Sequence, residues 1–238
     1  MRAKASLAIV VMLAGSFIGL ASTAGSGRVA IAVASLSFVF VFGLWFLYRE
    51  FSLHGSLSRA IAVGEPAEVF DLIGVTPPRR FGLRGSMPMV LYQVMALEQQ
   101  GKYDDALGLL RAYPLPATAR RWQRLAGLIE AGVLAQTDAV AGRVLWTQLV
   151  AMGPFTPRSV EAVMAAVTDG RLRLASGDAA GAIEVLLPLT RNIQLGPAPR
   201  ALAHHNVAQA FIALQDPTNA ELHRMQARKF GGKQWFVV

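Results

Sequence analysis

Residues 90–110 read VLYQVMALEQQGKYDDALGLL, in which two short apolar patterns flank a Gly-Lys-Tyr-Asp-Asp break. Val90, Val94 and Leu97 lie at the i, i+4 and i+7 spacing that places side chains on one face of a helix. Gly101 can adopt the positive φ that ends a helix. The stretch therefore predicts two helices joined by a tight turn.

The second helix of this pair has a candidate cap and a small residue near its start. Asp104 is a candidate N-cap, because a carboxylate there accepts a hydrogen bond from a free backbone N–H. Ala106 opens the apolar run that continues through Leu107 and Leu110. The pair is predicted to pack closely where Ala106 lies.

The same break recurs at a nearly constant spacing. The intervals are 37, 76 and 38 residues, between breaks at Gly64, Gly101, Gly177 and, in variant form, Gln215. Because 76 is twice 38, a further break is expected near residue 139, close to the Gln-Thr-Asp stretch at 136–138. A fixed period of this length indicates stacked helix pairs.

This pattern resembles the tetratricopeptide repeat, in which a small residue at the closest helix crossing, here Ala106, admits the neighbouring backbone. The resemblance covers most of residues 50–229 and implies an all-α fold, an α-solenoid of four to five helix pairs. The fourth pair departs from the pattern at Asp169 and Gly170. A stack of helical hairpins outside that family is the alternative.

Two uncharged apolar runs precede the repeat, and each is long enough to cross a bilayer. They predict a transmembrane hairpin in residues 1–48, with spans at about 5–25 and 29–48. Residues 1–24 also fit a cleaved signal peptide, which would leave one span. Small residues four apart in the spans allow the helices to pack on each other or to self-associate.

The basic residues around the spans predict the orientation. Arg2 and Lys4 precede the first span, Arg49 follows the second, and only Arg28 lies between them. The positive-inside rule then places the turn outside and residues 50–238 in the cytoplasm. We expect a multi-pass protein of the inner or plasma membrane.

Four segments follow from these patterns. Residues 1–48 form the hairpin, and residues 49–86 form a membrane-proximal helix pair with a loop rich in proline, glycine and arginine. Residues 87–230 form the repeat domain, and residues 231–238 are a C-terminal tail.

Composition argues against several function classes. The chain has no cysteine, which removes disulfides, thiolate zinc sites and cysteine nucleophiles. The net charge is +8, but the soluble part carries no motif of the usual nucleic-acid-binding modules. We find no catalytic constellation, phosphate loop or metal-ligand spacing, and so expect no enzyme, no cofactor and no nucleic-acid partner.

A binding scaffold remains. The resemblance implies a concave groove lined by the first helix of each pair, and carrying that spacing over gives Arg120, Gln123, Glu130, Arg171, His205 and Gln209. Basic and amide groups dominate this set, so we expect a protein partner with an acidic segment. The alternative is an accessory subunit that packs against larger neighbours in a membrane complex.

A basic loop lies between the first and second predicted pairs. Arg79, Arg80 and Arg84 stand there among prolines and glycines. Each basic residue near an anionic bilayer contributes about 1 kcal/mol of attraction. We therefore expect this loop to contact lipid headgroups, with an ordinary solvated linker as the alternative.

Overall fold

A computed structural model of the protein describes residues 27–74, 87–113, 120–157 and 159–236. The chain divides into two compact units, Met1–Ser56 and Leu57–Val238. Ten helices and no strand occur in the described ranges, as the all-α prediction requires. They are α1 Gly27–Val63, α2 Pro66–Ile73, α3 Met87–Gln99, α4 Tyr103–Ala112, α5 Arg120–Thr137, α6 Ala139–Ala151, α7 Val160–Ala175, α8 Ala179–Thr190, α9 Pro197–Ala213 and α10 Pro217–Phe230.

The helices of the second unit pack as successive pairs. Helix α3 packs on α4, α5 on α6, α7 on α8, and α9 on α10. The first helices of these pairs also contact one another in sequence, α3 with α5, α5 with α7 and α7 with α9. The helices therefore form an inner and an outer layer, an arrangement compatible with a helical repeat.

Four of the predicted breaks share one turn geometry. The residue at each break has a positive φ: 84° at Gly64, 72° at Gly101, 82° at Gly177 and 59° at Gln215. The next N–H donates to the carbonyl five residues earlier, at 2.9 Å in all four turns. This is the Schellman end of a helix. Gln215 shows that the geometry is kept even where the residue has a β-carbon.

The remaining break lies where the period places it. Helix α5 ends at Thr137, and Asp138 caps α6 by accepting a 3.1 Å hydrogen bond from the N–H of Ala141. Asp178 and Asp216 cap α8 and α10 in the same way.

The predicted N-cap at Asp104 is wrong. Helix α4 begins at Tyr103, so its N-cap is Lys102, whose side chain has no acceptor for the free N–H groups. Only Lys102 separates Gly101 from the helix, so Asp104 lies in the first helical turn. Its charge there still favours the positive end of the helix dipole.

A buried residue follows each break by five positions. Ala106 is fully buried, as predicted, and the others are Val69, Ala182 and Ala220. Counted from Thr137, the equivalent residue of α6 is the buried Gly142. Small side chains at four of the five positions let the paired helices approach closely.

The N-terminal predictions are only partly described. The span at 5–25 and the loop that holds Arg79, Arg80 and Arg84 lie outside the described residues. The span at 29–48 falls within α1. Over the described ranges, no helix combines the length and the apolar character that a membrane crossing needs. The predicted transmembrane hairpin is thus not supported by the part of the chain that the structure describes.

Gly170 allows a close contact between α7 and α8, because a β-carbon there would overlap the side chain of Leu186. We expect Gly170→Ala to lower the free energy of unfolding by about 1–3 kcal/mol, since overpacking outweighs the gain in helix propensity. Gly108→Ala in α4 is the control, because nothing lies within 4 Å of the added carbon. It should raise stability by up to about 1 kcal/mol. Urea unfolding followed by circular dichroism measures both, and equal gains would contradict the packing.

Candidate binding cavity

The inner helices of the second unit line a cavity of about 390 Å³. Helices α3, α5, α7 and α9 all contribute to its wall. Most of the wall is apolar, including Met95, Leu128, Ile129, Val163, Val167 and Leu202. Such a cavity has the size and the apolar lining of known small-ligand and peptide-anchor sites.

The polar part of the cavity wall centres on Arg171 of α7. Its side chain is only 3% exposed and forms an ion pair with Glu98 of α3. The same guanidinium donates to the carbonyl of Gly132 in α5 at 3.3 Å. Three inner helices therefore meet at one buried charge.

Neighbouring polar contacts hold this arrangement in place. The hydroxyl of Thr168, one turn from Arg171, donates to the carbonyl of Leu128 at 3.1 Å. The side-chain amide of Gln99 donates to the carbonyl of Ile61 at 2.9 Å. Within the described part of the chain, the Nε of Arg171 and the Oε1 of Gln99 have no hydrogen-bond partner.

The C-terminal residues complete the wall. Gln234, Trp235 and Phe236 line the cavity beside Ile61 and Gln99. Gln234 is buried, and its side-chain amide donates to the carbonyl of Gly231 at 2.9 Å. Residues 231–236 of the predicted tail thus pack against the repeat domain.

Histidines in the last helix pair are kept neutral. Burial, and then the charges of Arg171 and Arg224, lower the pKa of His205 to about 4. Burial, and then His223 and Arg200, lower the pKa of His204 to about 4 as well. The Nδ1 atoms of His204 and His223 are 3.0 Å apart, so one must donate to the other. In the described residues no group of three or more metal-ligating side chains comes together.

The structure separates the residues predicted to line a groove. Arg171 lines the cavity, and His205 stacks on Phe236 at its edge, with ring centroids 4.5 Å apart. Glu130 forms a 3.0 Å ion pair with Arg111 of α4. Gln209 is exposed on α9.

Two further predicted residues lie near the start of α5. Gln123 is half-buried there, and Arg120 is the first residue of the helix, with its side chain outside the description. The role of all six residues in binding a partner stays a prediction.

Sequence reasoning missed Glu98, Gln99 and the C-terminal aromatic pair. Glu98 is 73 residues from Arg171, and a repeat pattern does not pair charges at that distance. The adjacent aromatic residues Trp235 and Phe236 in the predicted tail were the sequence feature that could have indicated a packed C-terminal segment.

Comparison with known proteins adds no family. No family model, no curated protein and no solved structure matches this chain.

Removing Arg171 should destabilise the domain strongly. Arg171→Ala leaves Glu98 and the Gly132 carbonyl without their cation, and losing one member of a buried ion pair costs about 3–5 kcal/mol. Arg143 is the control, because its pair with Asp169 is long, at 4.0 Å, and its side chain is 41% exposed. Arg143→Ala should cost less than about 1 kcal/mol. Urea unfolding of both variants tests this, and similar losses would show that the Arg171 pair contributes no more than a surface pair.

Proposed function

We propose that this protein is a membrane-anchored helical-repeat adaptor of the tetratricopeptide type, which binds a segment of a protein partner in its inner cavity. The cavity of about 390 Å³ between four inner helices carries this proposal. The charged residues of the wall, Arg171 and Glu98, already pair with each other and hold the inner helices together. Binding is the chemistry that this lining supports.

The assignment to the tetratricopeptide type is supported by the turns and the crossings. Four helix pairs end their first helix with the same positive-φ turn, and small residues stand five positions later in three of them. The period of 37 to 38 residues exceeds the 34 typical of that family. A helical-hairpin stack of another kind shares these features.

The cavity favours an apolar anchor over an acidic one. The guanidinium of Arg171, the cation predicted to recognise a carboxylate, is already paired with Glu98. An incoming carboxylate would have to displace that pair, whereas an aliphatic or aromatic side chain meets a wall of matching character. The acidic segment remains a prediction for Arg120 and Gln123 at the start of α5.

Membrane attachment is part of the proposal and is supported by the uncharged run at 29–48. Helix α1 also exposes large apolar side chains, with Phe38 70% and Phe51 74% exposed. Contiguous exposed apolar surface is unstable in water and is typical of membrane or protein contact. Arg2 and Lys4 before the first run and Arg49 after the second, with only Arg28 between the runs, favour a cytoplasmic repeat domain.

An accessory-subunit role is the second candidate. Val140 and Val144 lie one turn apart on α6, with 77% and 56% exposed, and Leu222 and Met225 are exposed on α10. These pairs are on second helices, away from the cavity. They are the surface on which a larger neighbour would pack.

Two matched valines distinguish the candidates. Val160 lies at the cavity in the first turn of α7, 69% exposed, and Val140 lies in the first turn of α6. Val160→Asp puts a charge at the apolar cavity, and both substitutions should leave stability within about 0.5 kcal/mol because the sites are exposed. Partners are recovered from native membranes in mild detergent and quantified by mass spectrometry.

We expect Val160→Asp to lose the partner and Val140→Asp to retain it. The opposite pattern would favour the accessory-subunit role. Wild-type recovery with both variants would contradict binding at either surface.

The orientation is testable because the chain has no cysteine. Ser26→Cys and Ser176→Cys are each treated with a membrane-impermeant maleimide on intact cells. We expect labelling at position 26 at once and at position 176, which is exposed on the repeat domain, only after the membrane is opened. Labelling of intact cells at 176 but not at 26 would overturn the orientation.

A further inference from the structure

The C-terminal residues 231–236 lie against the turn after α1 with almost no space between the two backbones. A β-carbon on Gly232 would lie 2.7 Å from the carbonyl oxygen of Val63, and one on Gly64 would lie 2.7 Å from that of Gly231. Gly232 also has a φ of 58°, which disfavours a side chain. Glycine is therefore required on both sides of this contact.

Backbone hydrogen bonds fix the register of the segment. The N–H of Lys233 donates to the carbonyl of Gly64 at 2.9 Å, and that of Trp235 donates to the carbonyl of Gln99 at 2.9 Å. Between them, the N–H of Gln234 donates to the carbonyl of Gly231 at 3.2 Å, so the segment forms a turn of its own. Its two outward N–H groups thus bind carbonyls at the ends of α1 and α3.

Two polar side chains of the segment make specific contacts with the rest of the protein. The Nζ of Lys233 lies 2.8 Å from a carboxylate oxygen of Glu65. Gln234 is 1% exposed and donates to the carbonyl of Ala198 at 3.3 Å. A cation and an amide are thus each recognised by a separate acceptor.

The aromatic pair adds ring contacts, with Trp235 still 40% exposed. Trp235 packs edge-on against Tyr103 and His205, with ring centroids 6.2 and 5.3 Å away. It also covers Gly101, where a β-carbon would lie 3.2 Å from the indole. Phe236 stacks on His205. Neutral His205 suits this sandwich, because an imidazolium would be desolvated there.

We propose that this surface is a receptor for a cation-amide-aromatic-aromatic peptide segment, and that residues 231–236 are its resident intramolecular occupant. The receptor is defined by Gly64, Glu65, Gln99, Tyr103 and His205. A partner that presents a segment of the same chemistry binds by displacing the tail. This inference goes beyond the proposed function, because the receptor lies beside the cavity and does not depend on binding within it.

The tail sets a threshold for that partner. A segment attached to its own receptor acts at an effective concentration of about millimolar for a short connection. An external segment must therefore compete with it, and release of the tail raises the apparent affinity. The bound tail keeps the site closed to weak ligands.

The probe is a fluorescein-labelled peptide, Gly-Gly-Lys-Gln-Trp-Phe, and the readout is fluorescence anisotropy with the full-length chain in detergent. Trp235→Ala with Phe236→Ala removes the aromatic contacts of the resident tail, and Gly232→Ala removes its turn by a different route. The control is Leu222→Ala with Met225→Ala, which removes exposed apolar side chains from α10. Circular dichroism confirms that each variant is folded.

We expect both tail variants to bind the peptide at least about tenfold more tightly than wild type and the control. A peptide with alanine in place of both aromatic residues should bind none of them. Binding that is equal in wild type and the tail variants would show that the tail does not occupy the site, and absence of binding to all would show that the surface is no receptor. Either result overturns the proposal.

The proposed function fails separately. If the peptide binds no variant while Val160→Asp still loses the membrane partner, the cavity binds a partner of another chemistry and only this inference is wrong. If Val160→Asp retains its partner while the peptide binds only the tail variants, the receptor stands and the cavity role fails.

Discussion

The arrangement of the inner helices depends on one buried guanidinium. Arg171 has almost no contact with solvent, so its charge must be satisfied within the protein. It is satisfied by Glu98 of α3 and by the Gly132 carbonyl of α5, which fixes α7 against both. Glycine at position 132 leaves room for the Thr168 hydroxyl, because a β-carbon there would lie 3.1 Å from it. At its polar end, the cavity wall is fixed by these contacts of Arg171. The rest of the wall is apolar and is not used by them.

The sequence predicted the local geometry well, because that geometry is set by neighbouring residues. Positive φ at Gly64, Gly101 and Gly177 follows from the freedom of glycine, and the period alone extended the turn to Gln215. Burial of Ala106 followed from the resemblance to a repeat with a small crossing residue. Asp104 failed as a cap because the turn needs one residue fewer than assumed. The error is local, and the helix it concerns is nevertheless present.

The site was predicted less well, because its contacts join residues distant in sequence. Arg171 was correctly placed on an inner helix, but spacing alone could not reveal Glu98 as its partner. A surface arginine binds a carboxylate ligand, whereas a buried and paired arginine supports the wall of a cavity. The pairing of His204 with His223 was missed for the same reason, because the ring contact links α9 to α10 across 19 residues.

Contacts of the C-terminal segment also change the expected cooperativity of the array. In a simple solenoid each helix pair touches only its neighbours, so the ends fray and stability is a sum of local terms. Here Gly232 packs on Gly64, and the N–H of Trp235 donates a hydrogen bond to the carbonyl of Gln99. The last described residues therefore contact the first and second helix pairs. Loosening the final pair breaks contacts at the other end of the array. Displacement of the tail by a partner would therefore remove the contacts that couple the first helix pairs to the last. The stability of both ends of the array would change.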